Sequence, residues 1–266
     1  MIETGDGVRL RFQSWSPLGG GAAVVCLVHG HGDHSDRFLD GVDELVRHGI
    51  SVFTSDLRGH GLSEGARGDA PSFDALLSDV DLLLDTAQAN LPGLSRFLLG
   101  HSLGGNLVLN YALRRQPLLR GLVAINPWLD LAFRPPFWRM LAVRLVAAFR
   151  PDVPLSSRRK SGLGSQDNGD SDPLVHRTIT PRLFYGSRQA ATWALTNAAS
   201  LDTPLLVIHG SADHSTSAGA SELFVQRARG DATFKLWNGL GHSIHGEEVE
   251  RPVFEYVARW MRARTE

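Results

Sequence analysis

Cysteine is almost missing from this chain: Cys26 is the single one in 266 residues. No intrachain disulfide can form, and the apolar setting AAVVCLV marks the thiol as buried and inert. Long hydrophobic runs are missing as well. Nowhere do 18 apolar residues stand together, and MIETGDGVRLRF has no basic stretch ahead of an apolar one, so neither a membrane-spanning helix nor a secretory leader is expected. The expectation is a cytoplasmic protein whose only membrane contact would be peripheral. Excess charge is absent too. The 27 Lys and Arg against 28 Asp and Glu leave a formal charge of -1, which provides no drive toward nucleic acid. No internal repeat is visible, so solenoids and propellers are not expected.

What the chain does have is alternation. Short apolar runs at 22–30, 50–56, 96–101, 121–126 and 203–210 read as strands buried on both faces. Between them, Phe38, Val42, Leu45 and Val46, then Phe73, Leu76, Leu77, Val80, Leu83 and Leu84, then Leu107, Leu109 and Tyr111 to Leu113 fall at helical spacing. This predicts an α/β fold with a mostly parallel sheet and helices on both faces. From Pro127 to about Leu201 the strand rhythm stops. A gap that long is expected to be an inserted helical cap at 127–201, leaving 1–126 and 202–266 as the core.

Two segments fit Gly-x-Ser-x-Gly, GLSEG at 61–65 and GHSLG at 100–104. The pattern is common enough by chance to mean little without its context, which must be a strand running into a tight turn and then a helix. Ser102 has that context, since RFLLGH precedes it and LGGNLVLNYALRRQ follows. Ser63 lies several residues beyond a strand and runs into ARGDAPSF, so it is read as a decoy.

A nucleophilic serine needs a base, and the base needs a carboxylate to orient it. The chain order Ser, acid, His selects Asp213 in GSADHS, just past the strand TPLLVIHG, and His242 in GLGHSIHG, past the short apolar segment TFKLW. His245 remains a rival base. The donors for an oxyanion are assigned to the N–H of Leu103, next after the serine, and of His31 in the glycine-rich loop HGHG. His60, Trp15 and Trp237 are read as structural.

HGHGDHSDRF, DLRGHGLSEG, GHSLGG, SDPLVHR, GSADHSTS and GHSIHGE together resemble segments of the monoacylglycerol lipase and lysophospholipase branch of the α/β-hydrolases. The resemblance spans nearly the whole chain. It implies the α/β-hydrolase fold, a cap over the pocket, and hydrolysis of single-chain lipid esters without a cofactor or metal. A general short- or medium-chain carboxylesterase is the alternative within that class.

Two readings of other classes stand beside it. HGHGDH at 29–34 also fits His-x-His-x-Asp-His, a zinc-ligand pattern, and an α/β-hydrolase can serve as a binding module without catalysis. Both are disfavoured, the first by the strand–helix alternation and the second by a complete set of triad candidates. In the cap, Trp128, Phe137, Trp138 and Leu141 are expected to line an acyl pocket. The helix-like run FWRMLAVRLVAAF either packs on the core with its arginines reaching water, the favoured reading, or lies against a lipid surface. SSRRKSGLGSQDNGD is read as a mobile loop.

Overall fold

The computed structural model describes residues 1–156 and 172–265. SSRRKSGLGSQDNGD, apart from Ser156, lies outside the described residues. The strands are β1 (Ile2–Glu3), β2 (Arg9–Leu10), β3 (Phe12–Trp15), β4 (Ala23–Val28), β5 (Ile50–Ser55), β6 (Ser95–His101), β7 (Gly121–Ile125), β8 (Leu155–Ser156), β9 (Thr178–Ile179), β10 (Leu205–Gly210) and β11 (Ala232–Trp237). The helices are α1 (Leu39–Arg47), α2 (Phe73–Asn90), α3 (Leu103–Arg115), α4 (Phe137–Phe149), α5 (Pro181–Asn197), α6 (Ala218–Arg227) and α7 (Glu247–Arg262).

Seven strands form one sheet in the order β11-β10-β7-β6-β4-β5-β3, parallel except for β3, which runs antiparallel to β5. The five central strands are the five apolar runs. Because side chains alternate across a strand, Val24, Cys26 and Val28 enter one core layer, with residues of α2, α3 and α6. Ala23, Val25 and Leu27 enter the other, with residues of α1 and α7. That double burial is why these strands read as unbroken apolar runs. Cys26 is buried, and burial pushes its thiol up to about 12.

Local chemistry starts the helices. Ser72 caps α2 by accepting from the Ala75 N–H, Ser217 caps α6, and Thr180 caps α5 with Pro181 at the first helical position. Past Arg114 and Arg115, α3 ends at Gln116, which has a φ of 48° and is followed by Pro117.

Between β7 and β10 the chain leaves the sheet and forms α4, the paired strands β8 and β9, and α5. The pairing of Leu155 with Ile179 and Ser156 with Thr178 corrects the strand-free reading of this stretch; two residues per strand carry no periodicity. The packed reading of α4 is also corrected. Met140, Val143 and Ala147 form one half-buried stripe, while Phe137, Trp138, Leu141, Leu145 and Phe149 are exposed. A helix held along so narrow a stripe, with the Tyr185 hydroxyl of α5 donating to the Met140 carbonyl at 2.6 Å, leaves most of its apolar surface in water. Among the described residues no helix is long and apolar enough to cross a membrane.

Candidate active site

Ser102 sits where β6 gives way to α3. A serine at a helix N-cap ordinarily turns its hydroxyl back onto the first turn, but here no such bond forms, and the residue holds φ 54° and ψ −113°. That is a sparsely populated conformation for a residue with a side chain, and it aims the oxygen outward. The turn fits only because its neighbours are small. A Cβ on Gly104 would lie 2.1 Å from the Val28 carbonyl oxygen, so any larger residue would push α3 off the sheet.

The Ser102 hydroxyl donates to His242 Nε2 at 3.0 Å, and His242 Nδ1–H donates to Asp213 Oδ2 at 2.8 Å. The acceptor-only carboxylate fixes the tautomer. Asp213 follows β10 and His242 follows β11, so both reach Ser102 across the carboxyl ends of neighbouring strands. The Asp213 side chain is fully buried. Its Oδ1 accepts from the N–H groups of Ser215 and Thr216, and its Oδ2 from the Thr216 hydroxyl at 2.6 Å. Burial pushes its carboxyl up, but hydrogen bonds from His209, His242 and Thr216 outweigh this and hold it well below the ordinary carboxylate range. A buried, ionised carboxylate on Nδ1 stabilises an imidazolium, which is what a proton-accepting histidine requires.

The loop after β4 lies beside the serine: a Cβ on Gly30 would stand 3.0 Å from the Ser102 Cβ. Leu103 opens α3, where a first-turn N–H has no intrahelical partner. The two sequence-assigned donors, on His31 and Leu103, therefore belong to a loop and a helix start that meet at Ser102. The His31 ring is turned away, its Nε2 bonded to the Thr178 carbonyl at 2.9 Å. The His176 N–H donates to the Gly32 carbonyl, also at 2.9 Å. Those two bonds fasten the loop to β9 and the segment before it. Burial, followed by the neighbouring His176, pushes the His31 imidazole down to about 4, so it stays neutral.

The other candidates separate. Ser63 donates to the Asp56 carbonyl and accepts from the Arg11 N–H, with no bond to the triad candidates. His245 bonds Asp33 Oδ2 at 2.7 Å and the Arg37 carbonyl at 2.9 Å. In HGHGDH, His29 pairs with the Gly30 carbonyl and the Leu57 N–H, His31 with Thr178, Asp33 with His245, and His34 with Asp172. Four side chains pointed at separate partners do not converge on a common ion. His60 bonds the Arg58 carbonyl, in keeping with a structural role, and Trp15 and Trp237 pack against the α1–α7 core layer.

Of the expected acyl-pocket residues, Trp128 is buried, and its N–H donates to the Ser102 carbonyl at 2.9 Å. It lines a cleft of about 260 Å³ with Leu131, Phe184, Ala191 and Leu195. Phe137, Trp138 and Leu141 are 79%, 58% and 46% exposed, so they do not form an enclosed pocket wall here. Sequence reasoning missed three side chains of the site. Thr216 stands in the quoted GSADHSTS, His101 within the GHSLG pattern itself, and Asn126 at the end of a predicted strand. None of these residue types carries a signal of its own role.

A parallel sheet with crossing helices and a serine on a strand-to-helix turn defines an α/β-hydrolase. The family model described as serine aminopeptidase, S33, matches residues 21–249, and the chain belongs to that family. Human monoglyceride lipase is 32% identical over 279 residues, covering 98% of this chain and 89% of that protein. An abhydrolase domain-containing protein of Dictyostelium discoideum is 31% identical over 271 residues, and the match takes in 99% of this chain but 29% of that longer protein. The crystal structure of Paleococcus ferrophilus monoacylglycerol lipase superimposes with a TM-score of 0.82 at 28% identity, covering 94% of this chain and 99% of that one. These matches place the chain in the monoacylglycerol lipase branch, as a carboxylic ester hydrolase.

Proposed function

We propose that this chain cleaves esters of single-chain lipids, of the monoacylglycerol or lysophospholipid kind, through an acyl-enzyme on Ser102. The observation that carries the reading is the unbroken relay from Ser102 Oγ through His242 to buried Asp213, at 3.0 and 2.8 Å. Ser102 Oγ attacks the ester carbonyl as its proton passes to His242 Nε2, and Asp213 stabilises the imidazolium formed. The oxyanion receives the N–H groups of Leu103 and His31. His242 then protonates the leaving alkoxide, the alcohol departs, and water repeats the sequence to release the acid.

Residues 127–201 act as a cap over this site. The lining of the cleft beside Trp128 includes the apolar Leu131, Phe184, Ala191 and Leu195 together with the polar Asp130, Arg188 and Thr192, and the backbone bond of Trp128 to the Ser102 carbonyl supports a role for Trp128 near the nucleophile. The exposed apolar face of α4 favours transient contact of the cap with a lipid surface. The proteins named lipase among the relatives support the lipid substrate.

A rate profile over p-nitrophenyl esters, monoacylglycerols and lysophospholipids tests the substrate, with fluorophosphonate labelling as a count of active serines. Stoichiometric labelling and a preference for long acyl chains are expected. Turnover of acetate esters alone would reduce the function to that of a general carboxylesterase, and labelling at a serine other than Ser102 would overturn the mechanism.

A further inference from the structure

Three loops must be held in register for the relay to work, and they come from separate parts of the chain: the turn after β6, the turn after β10, and the turn after β11. One side chain touches two of them from a fourth place. Asn126, immediately after β7, is fully buried, and its Oδ1 accepts from the Gly210 N–H at 2.8 Å. Its Nδ2 donates to the carbonyls of Gly241 and His242 at 2.9 and 3.0 Å. Gly210 ends β10, three residues before Asp213, and Gly241 immediately precedes His242.

The amide cannot be turned round. A backbone N–H only donates and a carbonyl only accepts, so the oxygen must face Gly210 and the nitrogen must face the base-bearing turn. The backbone of Asn126 adds to the junction. Its N–H donates to the Ile208 carbonyl at 2.9 Å, and its carbonyl lies 3.3 Å from the hydroxyl of Thr216, the residue that also binds Asp213. Asn126 holds a φ of 45°, a left-handed conformation that asparagine tolerates better than most residues with a side chain. The His242 carbonyl is held a second time, by His101 Nε2–H at 2.9 Å. That bond reaches the base turn alone, whereas Asn126 spans acid and base.

On the reading of Ser102, His242 and Asp213 given above, we infer that Asn126 is a positioning residue that locks the base-bearing turn to the acid-bearing turn and so sets the His242 ring against both Ser102 and Asp213. It touches neither substrate nor reacting atoms. Its effect is on alignment, and a displacement of about 1 Å at a reacting group can cost on the order of 100-fold in rate.

The test compares Asn126→Gly, which suits the left-handed backbone and deletes the bridge, with Asn126→Asp, which keeps the shape but turns a carboxylate onto two carbonyls. In folded protein, kcat on a soluble p-nitrophenyl ester is expected to fall roughly 10- to 100-fold in both variants with KM within about twofold of the parent. Fluorophosphonate labelling should slow in proportion. The low-field proton resonance of His242 Nδ1–H on Asp213 should weaken or shift, a signature that loss of general stability would leave in place. If Asn126→Asp does not fold, Asn126→Gly alone decides. A kcat within twofold of the parent in the folded Gly variant, with the low-field resonance unchanged, would overturn the proposal. Ser102→Ala is run alongside: if it keeps full activity, the triad reading itself has failed, whatever the Asn126 variants do.

Discussion

The hydroxyl of Ser63 donates to the Asp56 carbonyl at 2.6 Å and accepts from the Arg11 N–H at 2.8 Å. A serine with donor and acceptor both committed to backbone is a fastener between Arg11, which joins β2 to β3, and the loop after β5. Ser102→Ala is therefore expected to lose ester hydrolysis by a factor on the order of 1000 or more while staying folded. Ser63→Ala should keep kcat within a few-fold and lose about 1 kcal/mol of stability. Activity measured beside a denaturation curve checks both, and comparable catalytic losses would sink the distinction.

The two histidines of GHSIHG separate in the same way. His242→Ala should abolish turnover, whereas His245→Ala should keep a substantial part of kcat and lower the melting temperature, because it strands Asp33 without its ring partner. Kinetics on a soluble ester decide the matter. Full activity in His242→Ala with none in folded His245→Ala would exchange their roles.

The face of α4 bearing Phe137, Trp138 and Leu141 is exposed, so charge placed there meets solvent rather than core. Trp138→Asp with Leu141→Asp is expected to leave turnover of a water-soluble acetate ester within about twofold and to reduce turnover of vesicle-borne monoacylglycerol roughly 10-fold or more, through lost apolar contact with the lipid surface. Paired assays with vesicle co-sedimentation check this. Equal losses on both substrates would mean that α4 supports the catalytic core instead.

Glu250, in α7, is buried, and its carboxylate accepts from the Gly41 N–H at 2.7 Å. Burial pushes its carboxyl up from 4.5 to about 7. Between those values the folded protein holds a proton that the unfolded chain has lost. Stability from this group is therefore full below about pH 4.5 and falls as pH rises through 7, by on the order of 3 kcal/mol. Glu250→Gln keeps the acceptor for Gly41 and has no charge to bury. It should flatten the decline in melting temperature between pH 5 and 8 and exceed the parent at pH 8. The same decline in both proteins would show that the carboxyl does not titrate in that window.

The strand–helix alternation was legible because a strand buried on both faces must be apolar at every position, as in AVVCLV of β4, and a core helix must repeat at its own period, as in α2. Strands β3 and β11, at the sheet edges, lack that double burial. Neither reads as a strand in the sequence, although β11 contains the short apolar segment TFKLW. The elbow and the order of Ser102, Asp213 and His242 were readable because their neighbours in the chain, glycines and strand ends, carry the geometry locally. Chain order cannot say which partners a buried polar group will find. The tertiary structure alone decided that His245 turns to Asp33, that the His31 ring turns to Thr178, and that Asn126 bridges Gly210 to Gly241 and His242. The bonds of His31 and His245 join segments 147 and 212 residues apart, and those of Asn126 join segments 84 to 116 residues apart. The same reason covers α4. Its composition announced an apolar helix, but whether that surface meets protein or water depends on how far α5 reaches beneath it, a distance that only the assembled fold sets.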